Sequence, residues 1–132
     1  MVCVQCGQNT RVTNSRLQKR SNHVWRRRYC ETCGTIFSTL EIPDYAVTWL
    51  VKGSDGRHLP YLRDKLFLSL YNSCQHRPTA VRDATELTDT IMRQLAGHVS
   101  GSVLLADQIR ITAQTALDRF DQAAGVHYRA FH

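Results

Sequence analysis

The chain has 132 residues and a formal net charge of +6, which gives one mid-sized domain or two small ones. No stretch approaches the ~20 apolar residues of a membrane span, and there is no low-complexity tract, Gly/Ser linker or internal repeat. A helical membrane protein is therefore excluded, and a soluble, cytoplasmic protein is expected. The charge is uneven: residues 1–45 carry seven Lys/Arg against three Asp/Glu, and residues 46–132 ten against eight, so the smaller part holds most of the excess.

The chain opens on a Cys-x-x-Cys pair, Cys3 and Cys6, followed at once by Gly7. Residues 10–16 (TRVTNSR) are β-prone, 17–22 (LQKRSN) read as a polar, basic loop, and 23–29 return as a strand with Val24 and Trp25 as apolar bulk. A second pair, Cys30 and Cys33, precedes Gly34, and residues 35–41 make a third strand. A two-residue gap folds a tight knuckle that aims both sulfurs at one point, and the following glycine takes backbone angles that a Cβ would resist. Four thiolates in two such pairs close a tetrahedral zinc shell with no open position. Two disulfides would suit an oxidising compartment, but no apolar signal segment precedes Cys3. A thioredoxin-like site needs one pair before a helix, and the surroundings here are strand-like. An iron–sulfur cluster also uses four cysteines, and spacing alone does not separate it from zinc. Zinc on Cys3, Cys6, Cys30 and Cys33 is the reading taken. Some forty residues bury too little to fold unaided, so the metal would supply the folding energy.

The basic residues of this part are Arg11, Arg16, Lys19, Arg20, Arg26, Arg27 and Arg28. Successive strand residues alternate faces, so Arg26 and Arg28 should share one face and Arg27 the other. Arginine's planar fork suits phosphate oxygens and guanine edges, and Trp25 and Tyr29 are interleaved with the charge. Nucleic acid is the expected partner of residues 1–45; a solvated basic surface is the plainer alternative. His23 is expected as a strand-end surface residue rather than a ligand.

Pro43 interrupts the strand pattern and marks a hinge over residues 42–45. Residues 47–52 (VTWLVK) read as a strand, Gly53-Ser54-Asp55-Gly56 as a hairpin turn, and 57–61 as the short return strand. A helix over 64–74 follows from Leu66, Leu70 and Cys74, with Cys74 a plain buried thiol. After the Pro78 break, Thr79 should cap a second helix with Val81, Ala84, Thr88, Ile91, Leu95 and Val99 inward, stopped by Gly97 and Ser100-Gly101-Ser102. A third helix over 106–122 would bury Ile109, Ala113, Ala116, Leu117 and Phe120, and 126–131 would add one more turn. An α+β fold results: a three-stranded zinc ribbon, then a small hairpin on a helical bundle. No paired-carboxylate, Ser-His-Asp or Cys-His constellation suggests catalysis.

CVQCG, TRVTNSR, WRRRYCETCG and IFSTLE, together with VKGSDGRHLPYLRDKL, resemble the NrdR transcriptional repressors of ribonucleotide reductase genes over nearly the whole chain. The second motif is similar to the opening of that family's ATP-cone, usually V-K-R-D-G followed by Pro-Phe and Lys-Leu. The resemblance implies a nucleoid-associated homo-oligomer whose ribbon grips paired operator boxes. Residues 46–132 would form an ATP-cone in which ATP or dATP changes assembly and DNA affinity. It places the nucleotide against Val51, Lys52, Ser54, Asp55, Gly56, Arg57 and Lys65. The sequence departs from the pattern at Asn14, where the family has aspartate, at Gly53-Ser54, which replaces the arginine of the turn, and at His127. Losing that arginine removes a bidentate phosphate contact. The alternative is a nucleic-acid-binding ribbon whose cone only oligomerises.

Overall fold

In the computed structural model, which describes residues 1–132, the chain divides into two units, Met1–Pro43 and Asp44–His132. The first is an antiparallel sheet in the order β1 (Arg11–Gln18), β2 (His23–Tyr29), β3 (Ile36–Glu41). β1 runs two residues further than expected, so the turn shrinks to four residues, with Asn22 in the left-handed region at φ 48°. The two Cys-x-x-Cys segments fold as near copies. Gly7 N–H donates to Cys3 O at 3.0 Å and Gly34 N–H to Cys30 O at 2.8 Å, with φ of 73° and 74° at the glycines. Those angles are why glycine closes each knuckle. Cys3 and Cys30 are the only buried residues of this unit. The sheet has no hydrophobic core of its own, and its stability must come from what joins the sulfurs.

One irregularity decides which residues share a face. The β1–β2 register pairs Val12 with Arg28 but Asn14 with Arg27, leaving Thr13 as an extra residue in a β-bulge. Arg11 and Arg16 are five apart and would point to opposite faces of a regular strand. The bulge rephases the strand and puts both on one side.

In the second unit, residues expected to begin a strand instead form a short helix, α1 (Tyr45–Thr48). The Asp44 carboxylate accepts from Ala46 N–H, and Thr48 Oγ1 donates to Asp44 O, so a side-chain cap overrides β-propensity. Trp49 is buried between Tyr45 and Tyr61, with ring centroids 4.4 and 5.5 Å away. β4 (Leu50–Lys52) and β5 (His58–Pro60) form the expected hairpin around Gly56, at φ 79°. α2 (Arg63–Cys74) and α3 (Ala80–Leu95) follow, joined through Pro78. Next comes an element that was not expected: β6 (Val103–Leu105) pairs in parallel with β4, giving the sheet order β5-β4-β6. It leads straight into α4 (Ala106–Phe120), and α5 (Gln122–Phe131) closes the chain.

The core gathers Leu66, Leu70 and Cys74 of α2, Ala84, Ile91 and Leu95 of α3, Leu104 of β6, and Ala113 and Leu117 of α4. Two residues expected inside are not. Val81, in the first turn of α3 at the flank of its apolar stripe, faces solvent, while Ala80 and Leu87 are buried. Phe120 is part-exposed and lies beneath the Arg77 guanidinium, 4.6 Å from its ring centroid. Arg77 also donates to Asp83 and to Asp121, both at 2.9 Å, and so ties the end of α2 to the start of α3 and the α4–α5 junction. The last segment is a full ten-residue helix rather than one turn, because Asp121 caps it by accepting from Ala124 N–H. Gly125 lets it pack on α4: a Cβ there would lie 2.2 Å from Asp118 Oδ1.

Candidate metal centre and nucleic-acid interface

The four knuckle sulfurs converge. All lie within 4.8 Å of one another, with Cys3 Sγ 3.6 Å from Cys33 Sγ and Cys6 Sγ 3.5 Å from Cys30 Sγ. Disulfides would require about 2.05 Å. A tetrahedron built on Zn–S bonds of about 2.3 Å has edges of roughly 3.8 Å, so the donor set and its size fit a zinc site of four thiolates. Cys3 and Cys30 are buried and Cys6 and Cys33 exposed, which gives the cluster a closed side and an open one. Gln5 N–H points at Cys3 Sγ at 3.4 Å. On the open side the Thr35 hydroxyl, followed by the Thr35 N–H, pulls the Cys33 thiol down to about 6. His23 sits at the other end of β2, opposite Gln18.

Paired residues of an antiparallel ladder share a face, so the register sorts the arginines. One face of the sheet carries Trp25, Arg27 and Tyr29 of β2, with Arg16, Asn14 and Arg11 facing them on β1. Ser38, Leu40 and Ile36 continue that face on β3. Arg16 lies over the Trp25 ring at 5.9 Å and Arg11 over Tyr29 at 5.2 Å, so two of the three cations are held by aromatic faces. Arg11 also pairs with Glu31 at 2.9 Å. Arg27 is exposed and makes no ion pair.

The other face carries Arg26 and Arg28, as alternation predicts, beside Val12, Leu17, Val24 and Phe37. Arg26 is already bound to Glu41 at 2.6 Å. Arg28 is half-buried, reaches Thr10 Oγ1 at 3.4 Å, and its Nε is buried without a partner. Lys19 and Arg20 stand exposed in the turn between β1 and β2. The run of three arginines therefore does not act as one patch; the aromatic side gains Arg11 through the bulge instead.

The second unit contains a cavity of about 310 Å³ between the hairpin, α2, α4 and α5. Of the residues expected to hold nucleotide, Val51 and Lys65 line it, whereas Lys52, Ser54, Asp55, Gly56 and Arg57 lie on the hairpin and do not. Asp55 accepts from the Arg57 N–H and from its guanidinium, contacts that hold the carboxyl below its ordinary range and occupy the arginine. Arg110, Tyr128 and His132 also line the cavity and were not singled out from sequence. α2 starts at the cavity with Leu62 at its N-cap and no side-chain cap, so the Arg63 and Asp64 N–H groups lack the usual partner, while the Lys65 N–H donates to Leu62 O at 3.2 Å. The Tyr61 hydroxyl is buried without a partner, and burial raises it to about 12. No helix of the chain is long and apolar enough to cross a membrane.

The profile of a domain family described as "Transcriptional repressor NrdR-like, N-terminal domain" matches residues 1–41. Similar curated proteins extend the likeness to the whole chain. The "Transcriptional repressor NrdR" of Syntrophotalea carbinolica is 33% identical over 100% of this chain and 83% of its own length. That of Symbiobacterium thermophilum is 32% identical over 99% and 84%. That of Listeria welshimeri is 30% identical over 100% and 85%.

Proposed function

This chain belongs to the NrdR family of transcriptional repressors, and on that footing we propose that it is a zinc-dependent, nucleotide-responsive repressor of ribonucleotide reductase genes. Zinc bound by Cys3, Cys6, Cys30 and Cys33 holds the ribbon together, since nothing else in Met1–Pro43 is buried. The ribbon presents its aromatic face to duplex DNA. Arg27 and Arg16 reach phosphates or guanine edges, Arg11 supports them, and Lys19 and Arg20 extend the contact from the turn. Arg26 and Arg28, held by Glu41 and Thr10 on the opposite side, act mainly on the sheet.

The observation that carries this reading is the convergence of three arginines and two aromatic rings on one side of a sheet, in a unit whose only buried residues are cysteines. Such a surface has no packing role and suits a polyanion.

ATP or dATP occupies the cavity of Asp44–His132. Val51, Leu66, Ile109 and Tyr128 offer apolar walls for a base. Lys65, Arg110 and the uncapped start of α2 favour phosphates. Binding there changes how subunits assemble and hence how two ribbons engage paired operator boxes. The experiment that tests both halves is fluorescence anisotropy of a labelled operator duplex, with and without each nucleotide, alongside calorimetry and sizing of the protein. Loss of duplex binding after zinc removal is expected. Should neither nucleotide bind at millimolar concentration, the second unit is an oligomerisation module only, a reading that the Asp55–Arg57 pair favours.

A further inference from the structure

The exposed side of the sulfur cluster has a feature that metal coordination alone does not use. Gln5 lies inside the first knuckle and Thr35 just after the second. Thr35 Oγ1 is 3.1 Å from Cys33 Sγ and 2.7 Å from Gln5 Oε1, the end of the amide placed toward it. A hydroxyl has one hydrogen, so it can donate to only one of the two. A metal-bound thiolate offers only lone pairs, so the contact to Cys33 Sγ is a hydrogen bond only when the hydroxyl donates to it. The Gln5 contact must then be one in which Thr35 accepts. The two ends of a glutamine amide interchange by rotation and are assigned from the network around them. Donation to Cys33 Sγ therefore calls for the amide to turn end for end, so that Nε2–H takes the place of Oε1 against the hydroxyl.

We infer that Gln5 and Thr35 form a directed relay, Gln5 Nε2–H to Thr35 Oγ1–H to Cys33 Sγ, that fastens one knuckle to the other outside the ligand shell and slows metal loss from the open side. The direction matters. Cys33 and Cys6 are the exposed sulfurs, so a competing ligand reaches the metal from their side. A hydroxyl donating to Cys33 Sγ orients that ligand, and Gln5 in turn orients the hydroxyl. Partners of this kind are worth roughly 10–100-fold in metal affinity. Gln5 and Thr35 are positioning residues, since neither touches the metal.

The inference rests on the zinc reading above, and its test keeps the two apart. Full-length protein is loaded with zinc, its stoichiometry is measured, and zinc release to a chromogenic chelator is timed. Alkylation of Cys33 by iodoacetamide, followed by peptide mass spectrometry, gives a second readout. Thr35→Val keeps the shape and removes the hydroxyl; it should bind one zinc per chain, release it about tenfold faster, and expose Cys33 to alkylation. Thr35→Ser should restore the wild-type rate. Gln5→Glu decides the direction: a carboxylate can only accept, so it would draw the hydroxyl hydrogen away from Cys33 and accelerate release as Thr35→Val does. A zinc-loaded Thr35→Val with wild-type release overturns the relay while leaving the metal site standing. A wild-type rate in Gln5→Glu also overturns it, because the hydroxyl would then have pointed at Gln5 all along. Wild-type protein that holds no zinc removes the metal reading and the relay with it.

Discussion

Replacing Arg27 by alanine separates the two faces of the ribbon most cleanly. Arg27 is exposed, lies on the Trp25–Tyr29 side and pairs with no carboxylate, so its removal subtracts one cation and disturbs nothing around it. One phosphate contact contributes about 0.9 to the slope of log K against log salt. Between 1 M and 0.1 M salt that amounts to roughly eightfold in affinity, or about 1.2 kcal/mol. Arg27→Ala should therefore weaken duplex binding about eightfold at 0.1 M salt for each ribbon engaged, with the loss fading toward 1 M. Arg26→Ala starts from a different state, because its guanidinium is already committed to Glu41. It should leave the slope nearly unchanged. Anisotropy titrations of the two variants over a salt series measure both slopes. Equal loss in the two variants, or a larger one in Arg26→Ala, would refute the assignment of the DNA-facing side.

Removing zinc with a strong chelator should unfold Met1–Pro43 while Asp44–His132 keeps its helical circular dichroism, and Cys30→Ser combined with Cys33→Ser should bind no metal by elemental analysis. For the cavity, Lys65→Ala removes a charged contact of ~1.5–3 kcal/mol and should cost nucleotide about tenfold or more in calorimetry, with Arg110→Ala behaving alike. The Arg77 cluster predicts an acid limb. Ala124 N–H and then Arg77 hold the Asp121 carboxyl down at about 2, below its unfolded value near 3.9. Its stabilisation is complete above pH ~4 and is lost as pH falls toward ~2. Thermal melts of Asp121→Asn should fall less steeply than wild type across that interval, and parallel curves would remove Asp121 from the account.

The sulfur cluster was legible in the sequence because its signal is local: two residues between cysteines and a glycine after them fix each knuckle without long-range help. The strands were legible for the same reason, through β-branched and aromatic content. What could not be read was phase. Nothing in TRVTNSR marks Thr13 as an extra residue, since a bulge exists only relative to the partner strand. The seven cations were identified, and alternation parted Arg27 from Arg26 and Arg28, but the side taken by Arg11 relative to Arg16 was not legible. A similar blindness hid β6. Val103–Leu105 is too short to show a period, and its reason to be extended is its parallel partner, the distant strand Leu50–Lys52. The start of α4 at Ala106 was read, but without β6 nothing brought that end of the helix to the hairpin, and Arg110 was not singled out as a wall of the cavity. α1 was misread because Val47, Thr48 and Trp49 favour strands, while the Asp44 cap outweighs that preference.

The extra residue at Thr13 also has a bearing on which length changes the ribbon tolerates. β1 is the arm that connects the first knuckle to the hairpin, so each paired residue in it, Thr13 excepted, sets how far Cys3 and Cys6 reach along the sheet, by about 3.4 Å. Deleting Thr13 would cost neither reach nor shared face: Arg11 and Arg16 would then be four apart in a regular strand, still opposite Tyr29 and Trp25 on one side, and the first knuckle would keep its reach. A second deletion in the same arm, between Arg11 and Arg16, would cost both: it would draw Cys3 and Cys6 back by one residue and turn Arg11 to the far side from Arg16. Insertions and deletions in this arm therefore come under a parity rule as well as a length rule, and two ribbons with identical composition can differ in whether their charges add.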